Sequence, residues 1–296
     1  MQVLNIFVPL DFSPFDEQAL AFLEKLAVRE RNGHNLELHV TLFHLVAPGA
    51  LPTYDLHPDT LAHGIGDDDT RSRLQKLHQA QTRLQQSGLS VHSKIAPRQK
   101  GPVGRSIAHH AARHGAHLIL AMSKHREGVR GWLAHTALPA ILRNATVPVF
   151  CLSPGKLPSI QRVLFATDFG THAAHIVARL QPLVQFFGAG LYLAKVSSRD
   201  DYETTRTFRA HCREFNDALA AQSLDLMSTI NTYIHYQADD RASGIVQCAE
   251  DHLADLVVVA TRGLSGFKLW LEGSLTDELL ETTTLPLLVY RLPETE

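Results

Sequence analysis

Residues 255–290 read DLVVVATRGLSGFKLWLEGSLTDELLETTTLPLLVY. The apolar run Leu256–Ala260 has the length and composition of a strand buried on both faces. A glycine-bearing loop follows and ends in Gly273-Ser274, where a helical pattern starts. Pro286 then precedes a second apolar strand, Leu287–Tyr290. A strand, a glycine loop and a serine at a helix N-terminus suit an anion. Backbone N–H groups point outward there, and the helix dipole favours negative charge.

The first half of the chain ends in the same way. His117–Ala121 reads as a strand and Thr146–Leu152 as the next. Pro148 and Pro286 lie 138 residues apart, as do His117 and Asp255, and Ile107 and Ile245. A constant offset over about forty residues marks a duplicated unit. The two halves also begin alike, Leu4–Ser13 matching the run Val163–Gly170, but Asp11 and Asp168 lie 157 residues apart. The first half therefore carries 19 more residues (157 − 138), and Pro48–Thr70, rich in Pro, Gly, His and Asp, is the place expected for them.

Each half then reads β-α-β-α-β-α-β-α-β. Ser13-Pro14 has the form of an N-cap followed by a first-turn proline. Ala19, Leu20, Phe22, Leu23, Leu26 and Ala27 follow at helical spacing. Thr171 opens the matching helix, with Ile176, Val177, Leu180, Val184 and Phe187 on one face and Gly188 as its stop. Thr41–Val46 and Leu191–Val196 read as second strands, and Arg71–Ser87 and Tyr202–Ser223 as second helices. The expected fold is α/β: two tandem, doubly wound parallel-sheet domains of Rossmann-like form, 1–153 and 160–296, joined by the Pro/Gly/Ser linker Ser153–Ser159. In such sheets ligands bind at the carboxyl ends of the strands, where strand order reverses.

The 296 residues suit two domains, and a formal net charge of −2 gives no general nucleic-acid surface. Cys151, Cys212 and Cys248 share no metal-ligand spacing, as in a reducing compartment. The N-terminal apolar run is one strand long and meets Pro9 and Asp11, unlike a signal peptide, and no stretch suits a membrane span. A cytoplasmic address is expected.

The stretch quoted first resembles the universal stress protein family. That family holds ATP phosphates with Gly-x2-Gly-x9-Gly-Ser/Thr after its fourth strand. Here the register places Ala260, Gly263, Gly273 and Ser274 on that motif, so the first glycine is alanine. The resemblance covers nearly the whole chain as two copies. It implies that Asp168 and Asp11, after the first strands, meet the adenosine part, and that Val196 and Val46, ending the second strands, meet adenine through their backbone. Arg262 and Lys268 are further phosphate candidates. Glu272, beside the Gly-Ser pair, repels phosphate unless a cation such as Mg²⁺ intervenes.

In the first half the same register gives Met122, His125, His135 and Thr136, with no glycine. Met and His there crowd a triphosphate, so this half is expected not to bind ATP in the family manner. Thr136 is left as a cap for the last helix, and His125, Arg126 and Arg130 as weak anion contacts.

Thirteen of the 18 histidines lie in the first half. His110 and His114 have the i, i+4 spacing that can bind metal. No HExxH or Cys/His set supports them, and with His57, His63, His109 and His117 they are read as solvated surface groups. Asp67-Asp68-Asp69 is read as a solvated loop. No GxxxxGK[ST], GxGxxG or GxSxG motif is present, and no general base and nucleophile are placed together. No catalytic or metal site is assigned.

Three functions stay open. The resemblance implies a stress-response regulator that binds ATP or another adenine nucleotide, with protein partners left unidentified. The alternatives are an interaction scaffold of the same fold without nucleotide, and a slow ATP hydrolase built on Glu272, Asp168 and a metal. The resemblance also implies that the last strands, Pro148–Leu152 and Pro286–Tyr290, pair within one chain as a pseudo-dimer, hiding strand edges. A homodimer through another face is also open.

Overall fold

The computed structural model describes residues 2–31, 36–47, 68–123, 137–170, 172–198, 204–222, 224–261 and 275–291. The chain divides into two compact units, Met1–Leu157 and Pro158–Glu296. The division falls inside the Pro/Gly/Ser linker. Both units are α/β, each with five parallel strands.

The first unit runs β1 (Gln2–Pro9), α1 (Asp16–Glu30), β2 (Leu36–Val46), α2 (Asp68–Gln86), β3 (Ser90–Pro97), α3 (Val103–Arg113), β4 (Leu118–Met122), α4 (Leu138–Asn144), β5 (Val149–Leu152). Its strands lie in the order β3-β2-β1-β4-β5. The second unit runs β6 (Arg162–Ala166), α5 (Ala173–Phe187), β7 (Gly190–Ser198), α6 (Thr205–Ala220), α7 (Leu224–Ser228), β8 (Ile230–Ala238), α8 (Arg241–Asp251), β9 (Leu256–Thr261), α9 (Leu275–Thr282), β10 (Leu287–Arg291). Its order is β8-β7-β6-β9-β10, the same winding. Strand order reverses at β1/β4 in one unit and at β6/β9 in the other.

The inner strands are apolar runs because helices cover both their faces. Leu118–Ala121 and Leu256–Val259 are buried throughout. The helical stripes predicted for α1 and α5 are buried, and Gly188 closes α5 with φ +53°, the left-handed cap that glycine adopts without a Cβ penalty. Arg83 ties α2 to α1 by donating at 2.8 Å from both Nε and Nη2 to the two Glu24 oxygens. Hydrogen bonding from Arg83 holds the Glu24 carboxyl below its ordinary range.

Several elements differ from the sequence reading. Helix α1 starts at Asp16, not at Ser13-Pro14. Asp16 Oδ2 accepts from Asp11 N–H at 2.9 Å and Phe12 N–H at 2.6 Å, so the chain makes a turn before the helix begins. Among the described residues the buried Ser13 hydroxyl makes no hydrogen bond and caps no helix. Strand β2 starts five residues earlier than Thr41, pairing with β1 from Leu36 onward. The expected helix Tyr202–Ser223 appears as α6, and a further short helix, α7, follows it. Asp68 and Asp69 are not loop but the first turn of α2, where acids complement the dipole, and Asp69 Oδ2 takes Arg73 Nε at 2.8 Å. Thr171 and most of Pro48–Thr70 lie outside the described residues.

Strand register refines the repeat. Val8 pairs with Leu42, and its counterpart Phe165 pairs with Leu193. Phe165 stands 157 residues after Val8, but Leu193 stands 151 after Leu42. Some of the first unit's extra length therefore falls between α1 and β2. Val196 takes the position of Leu45, and Val46 that of Ser197. The pairing of Val196 with Val46 read from the sequence is one residue out, which places the two side chains on opposite sheet faces. From β4 onward the 138-residue offset holds: Phe7 pairs with Ile119 as Leu164 pairs with Val257.

Candidate functional site

Both first strands end in the same unusual turn. Asp168 Oδ1 accepts from Gly170 N–H at 2.9 Å, and Asp11 Oδ1 from Ser13 N–H at 3.0 Å. The intervening residues, Phe169 and Phe12, sit in the left-handed region with φ +59° and +60°. Such a conformation costs a bulky residue roughly 1–3 kcal/mol. Packing offsets it: Phe169 meets Phe215 at 5.3 Å and Phe208 at 5.9 Å, and Phe12 meets His44 at 4.7 Å between ring centroids. The strain lifts the aspartate onto the exposed carboxyl edge of the sheet. Sequence reasoning placed the aspartates but missed the phenylalanines that hold them, although Asp-Phe recurs at both strand ends.

In the second unit the fold brings Asp168, Val196 and Ala260 to the carboxyl ends of adjacent strands β6, β7 and β9. Val196 and Ala260 stay partly exposed although both lie on inner strands. Helix α8 seats against this edge through Gly244; a Cβ there would fall 2.7 Å from Val196 Cγ1 and 2.5 Å from Ala238 Cβ. Asp240 caps α8, Oδ2 accepting from Ser243 N–H at 2.8 Å, and that bond holds its carboxyl low. Glu278, in the first turn of α9, is raised by burial and by the negative charges of Asp240 and Glu281. Arg262, Gly263, Lys268, Glu272, Gly273 and Ser274 lie outside the described residues, which resume at Leu275 with α9. Thr276, fully buried, makes no hydrogen bond through its hydroxyl among the described residues.

In the first unit the corresponding edge carries a cavity of about 560 Å³ between β1, β2, β4 and the starts of α3 and α4. Asp11 and Met122, expected there by register, line it, and Leu45 lines it in the place that Val196 holds in the other unit. Val46 is buried on the opposite face, its carbonyl taken by Arg98 N–H at 2.8 Å. His125, His135 and Thr136 lie outside the described residues. Arg73 and Arg98, which the sequence reading did not single out, also line the cavity.

The histidines are not uniformly solvated. His110 is 2% exposed, its ring 4.8 Å from Phe43 and 6.2 Å from His114. It faces the sheet because its turn of α3 crosses β1 and β2, which correct the reading of it as a surface group. His44 is buried too. Its Nδ1 lies 2.7 Å from the Leu10 carbonyl, so Nδ1 carries a proton and donates it there. Burial, with Arg73 nearby, holds its pKa below the ordinary value, against Asp11 and Asp69, which act the other way. A depressed histidine binds fewer protons folded than unfolded. Its contribution is therefore full above about pH 6.5 and is lost as pH falls toward the folded value. Urea unfolding of wild type and His44→Gln between pH 7 and 5.5 should show the variant with the flatter profile. Identical slopes would remove His44 as the cause.

Among the described residues no group of His, Cys, Asp or Glu is arranged to hold a metal ion, and no helix is long and apolar enough to cross a membrane.

The family model described as "Universal stress protein family" matches residues 3–153 and again residues 159–291. A universal stress protein from Archaeoglobus fulgidus DSM 4304 is similar in structure with TM-score 0.69 and 16% identity, over 99% of this chain and 97% of that one. A functionally unknown protein from Pseudomonas aeruginosa PAO1 gives TM-score 0.61 and 16% identity, over 97% and 92%. A universal stress protein from Archaeoglobus fulgidus, solved in complex with dAMP, gives TM-score 0.33 and 20% identity over 51% of this chain and 98% of that one. No curated protein matches the chain.

Proposed function

The chain belongs to the universal stress protein family, and from that premise we propose that its second unit holds an adenine nucleotide and that occupancy, rather than turnover, is its output. The observation that carries this reading is the convergence of Asp168, Val196 and Ala260 at the carboxyl ends of three adjacent strands, where strand order reverses. The carboxylate suits ribose hydroxyls, and the two partly exposed apolar positions suit a flat base. Gly263 and Gly273-Ser274 follow Ala260 in sequence and lead directly into α9 at Leu275. Phosphates belong at that junction of glycine backbone and helix start.

The acids Asp240 and Glu278 favour a metal-complexed nucleotide over the bare tetraanion. The same carboxylates disfavour a role as an open anion trap. No described side chain is placed as a general base beside a nucleophile, which is why turnover is not part of the proposal.

Calorimetric titration of the purified chain with ATP, with and without Mg²⁺, tests this. One ATP per chain, bound more tightly with Mg²⁺, is the expected result. A folded chain that takes up no adenine nucleotide would leave a scaffold of the same fold.

A further inference from the structure

The two left-handed turns that end β1 and β6 are held by different chemistry. Phe12 has φ +60° and Phe169 φ +59°. A bulky residue persists there only where its surroundings hold it, so what each ring packs on decides whether its turn stands. Phe169 packs on Phe208 at 5.9 Å, Phe215 at 5.3 Å and Tyr233 at 6.0 Å between ring centroids. The Tyr233 hydroxyl is pushed up to about 12 by burial, so none of these rings changes charge near neutral pH. Phe12 packs instead on an imidazole, His44, at 4.7 Å. The second unit has Lys195 in the register position of His44.

The place of His44 suits one charge state. Its side chain is 3% exposed. Nδ1 already donates to the Leu10 carbonyl, so a second proton has only Nε2 to go to. Nε2 is buried and has no hydrogen-bond partner among the described residues. A charged N–H without an acceptor is costly there, and the ring gains by moving to water. The charged groups around it divide. Asp11 on the turn and Asp69 on α2 favour the proton, and Arg73 on α2 opposes it. Ile95, its partner on β3, is apolar. Asp16, at the start of α1, is engaged with the Asp11 and Phe12 N–H groups. Burial outweighs the two acids, so the ring holds a proton less readily than a free histidine.

We propose that His44 is a pH switch for the first unit: protonation drives its ring from under Phe12, the strained turn relaxes, and Asp11 leaves the carboxyl edge of the sheet. The matching turn of the second unit stays in place, because carbon rings hold it. The switch does not depend on nucleotide binding by either unit.

Hydrogen exchange at single-amide resolution on the full chain tests this. The reporters are the Asp11 and Phe12 amides, which donate to Asp16 Oδ2, and the control is the Gly170 amide, which donates to Asp168 Oδ1. After correction for the intrinsic pH dependence of exchange, protection of the two reporters should fall about tenfold between about pH 7.5 and pH 5, the effect of one proton taken up on opening. Gly170 should keep its protection. His44→Phe, which retains an aromatic ring under Phe12 and leaves Asp16 in place, should abolish the fall. If that variant does not fold, His44→Gln is held to the same result. Three outcomes would overturn the proposal. Unchanged protection in wild type means that the turn does not open. The same fall without His44 assigns it to the Asp16 or Asp11 carboxyl. Equal loss at Gly170 makes it a general loosening in acid.

Discussion

Gly263→Asp/Gly273→Asp abolishes ATP binding while the chain keeps its fold. This expected result follows from two effects. Under the proposed reading Gly263 and Gly273 serve the phosphates, and glycine is the residue whose missing Cβ allows a close backbone approach. Under the same reading, aspartate at both positions adds two negative charges to a polyanion's site. Two like charges about 4 Å apart repel by roughly 4 kcal/mol at the effective dielectric of a protein surface. A weakening of a hundredfold or more is therefore expected, beyond the range of an ordinary titration. Far-UV circular dichroism should match wild type, because both positions lie outside the five strands of the unit. Wild-type affinity in the double variant would place the nucleotide, if bound, away from this loop. Gly263→Ala alone gives a finer measure. A methyl adds bulk without charge, so a partial loss isolates the steric contribution from the electrostatic one.

Much of the fold is legible along the chain because its signals are local. Apolar runs such as Leu256–Ala260 announce strands covered on both faces, and the stripe Ile176–Phe187 with Gly188 announces α5 and its end. The 138-residue spacing of paired prolines announces the repeat. What escaped depends on residues far apart in sequence. Ser13-Pro14 looks like a helix start, but the Asp16 carboxylate takes the Asp11 and Phe12 N–H groups and delays the helix. His110 looks solvated until Phe43, with a helix and a strand between them in the chain, is found against its ring. Val46 and Val196 look equivalent until strand pairing counts them one residue apart. Asp11 and Asp168 follow their first strands as the pattern has them, yet the left-handed Phe12 and Phe169 beside them have no warning beyond Asp-Phe repeated. The cavity of the first unit is legible only in part. Asp11 and Met122 come from the repeat, but Arg98 reaches the cavity from the end of β3.

Gly104→Val should lower the stability of the first unit by about 3 kcal/mol or more, the scale of severe overpacking. Gly104 lies in the first turn of α3, where α4 crosses. A Cβ there would fall 2.2 Å from the Ala137 carbonyl oxygen, 2.6 Å from the Ile141 nitrogen and 2.7 Å from Ala140 Cβ. Two of those three atoms are backbone, so no rotamer change relieves the contact and α4 itself must move. Helix α4 has only seven residues, and buried Leu138, Ile141 and Leu142 anchor it. Displacing it exposes that face and deforms the cavity it borders. The second unit solves the same crossing differently: the repeat places Ala242 opposite Gly104, and its glycine, Gly244, faces Val196 and Ala238 instead. Each unit thus keeps glycine where its own helix comes closest. For a unit of this size the loss corresponds to a fall in Tm of roughly 6–12 °C. Scanning calorimetry should show the shift, and Gly101→Ala provides the contrast. Gly101 has open space around its missing Cβ and φ +116°, so its cost is conformational alone, about 1 kcal/mol. ATP binding by the second unit should survive both. A Gly104→Val chain that melts with wild type would mean that α3 and α4 stand farther apart than the 2.2 Å contact requires, and the cavity wall with them.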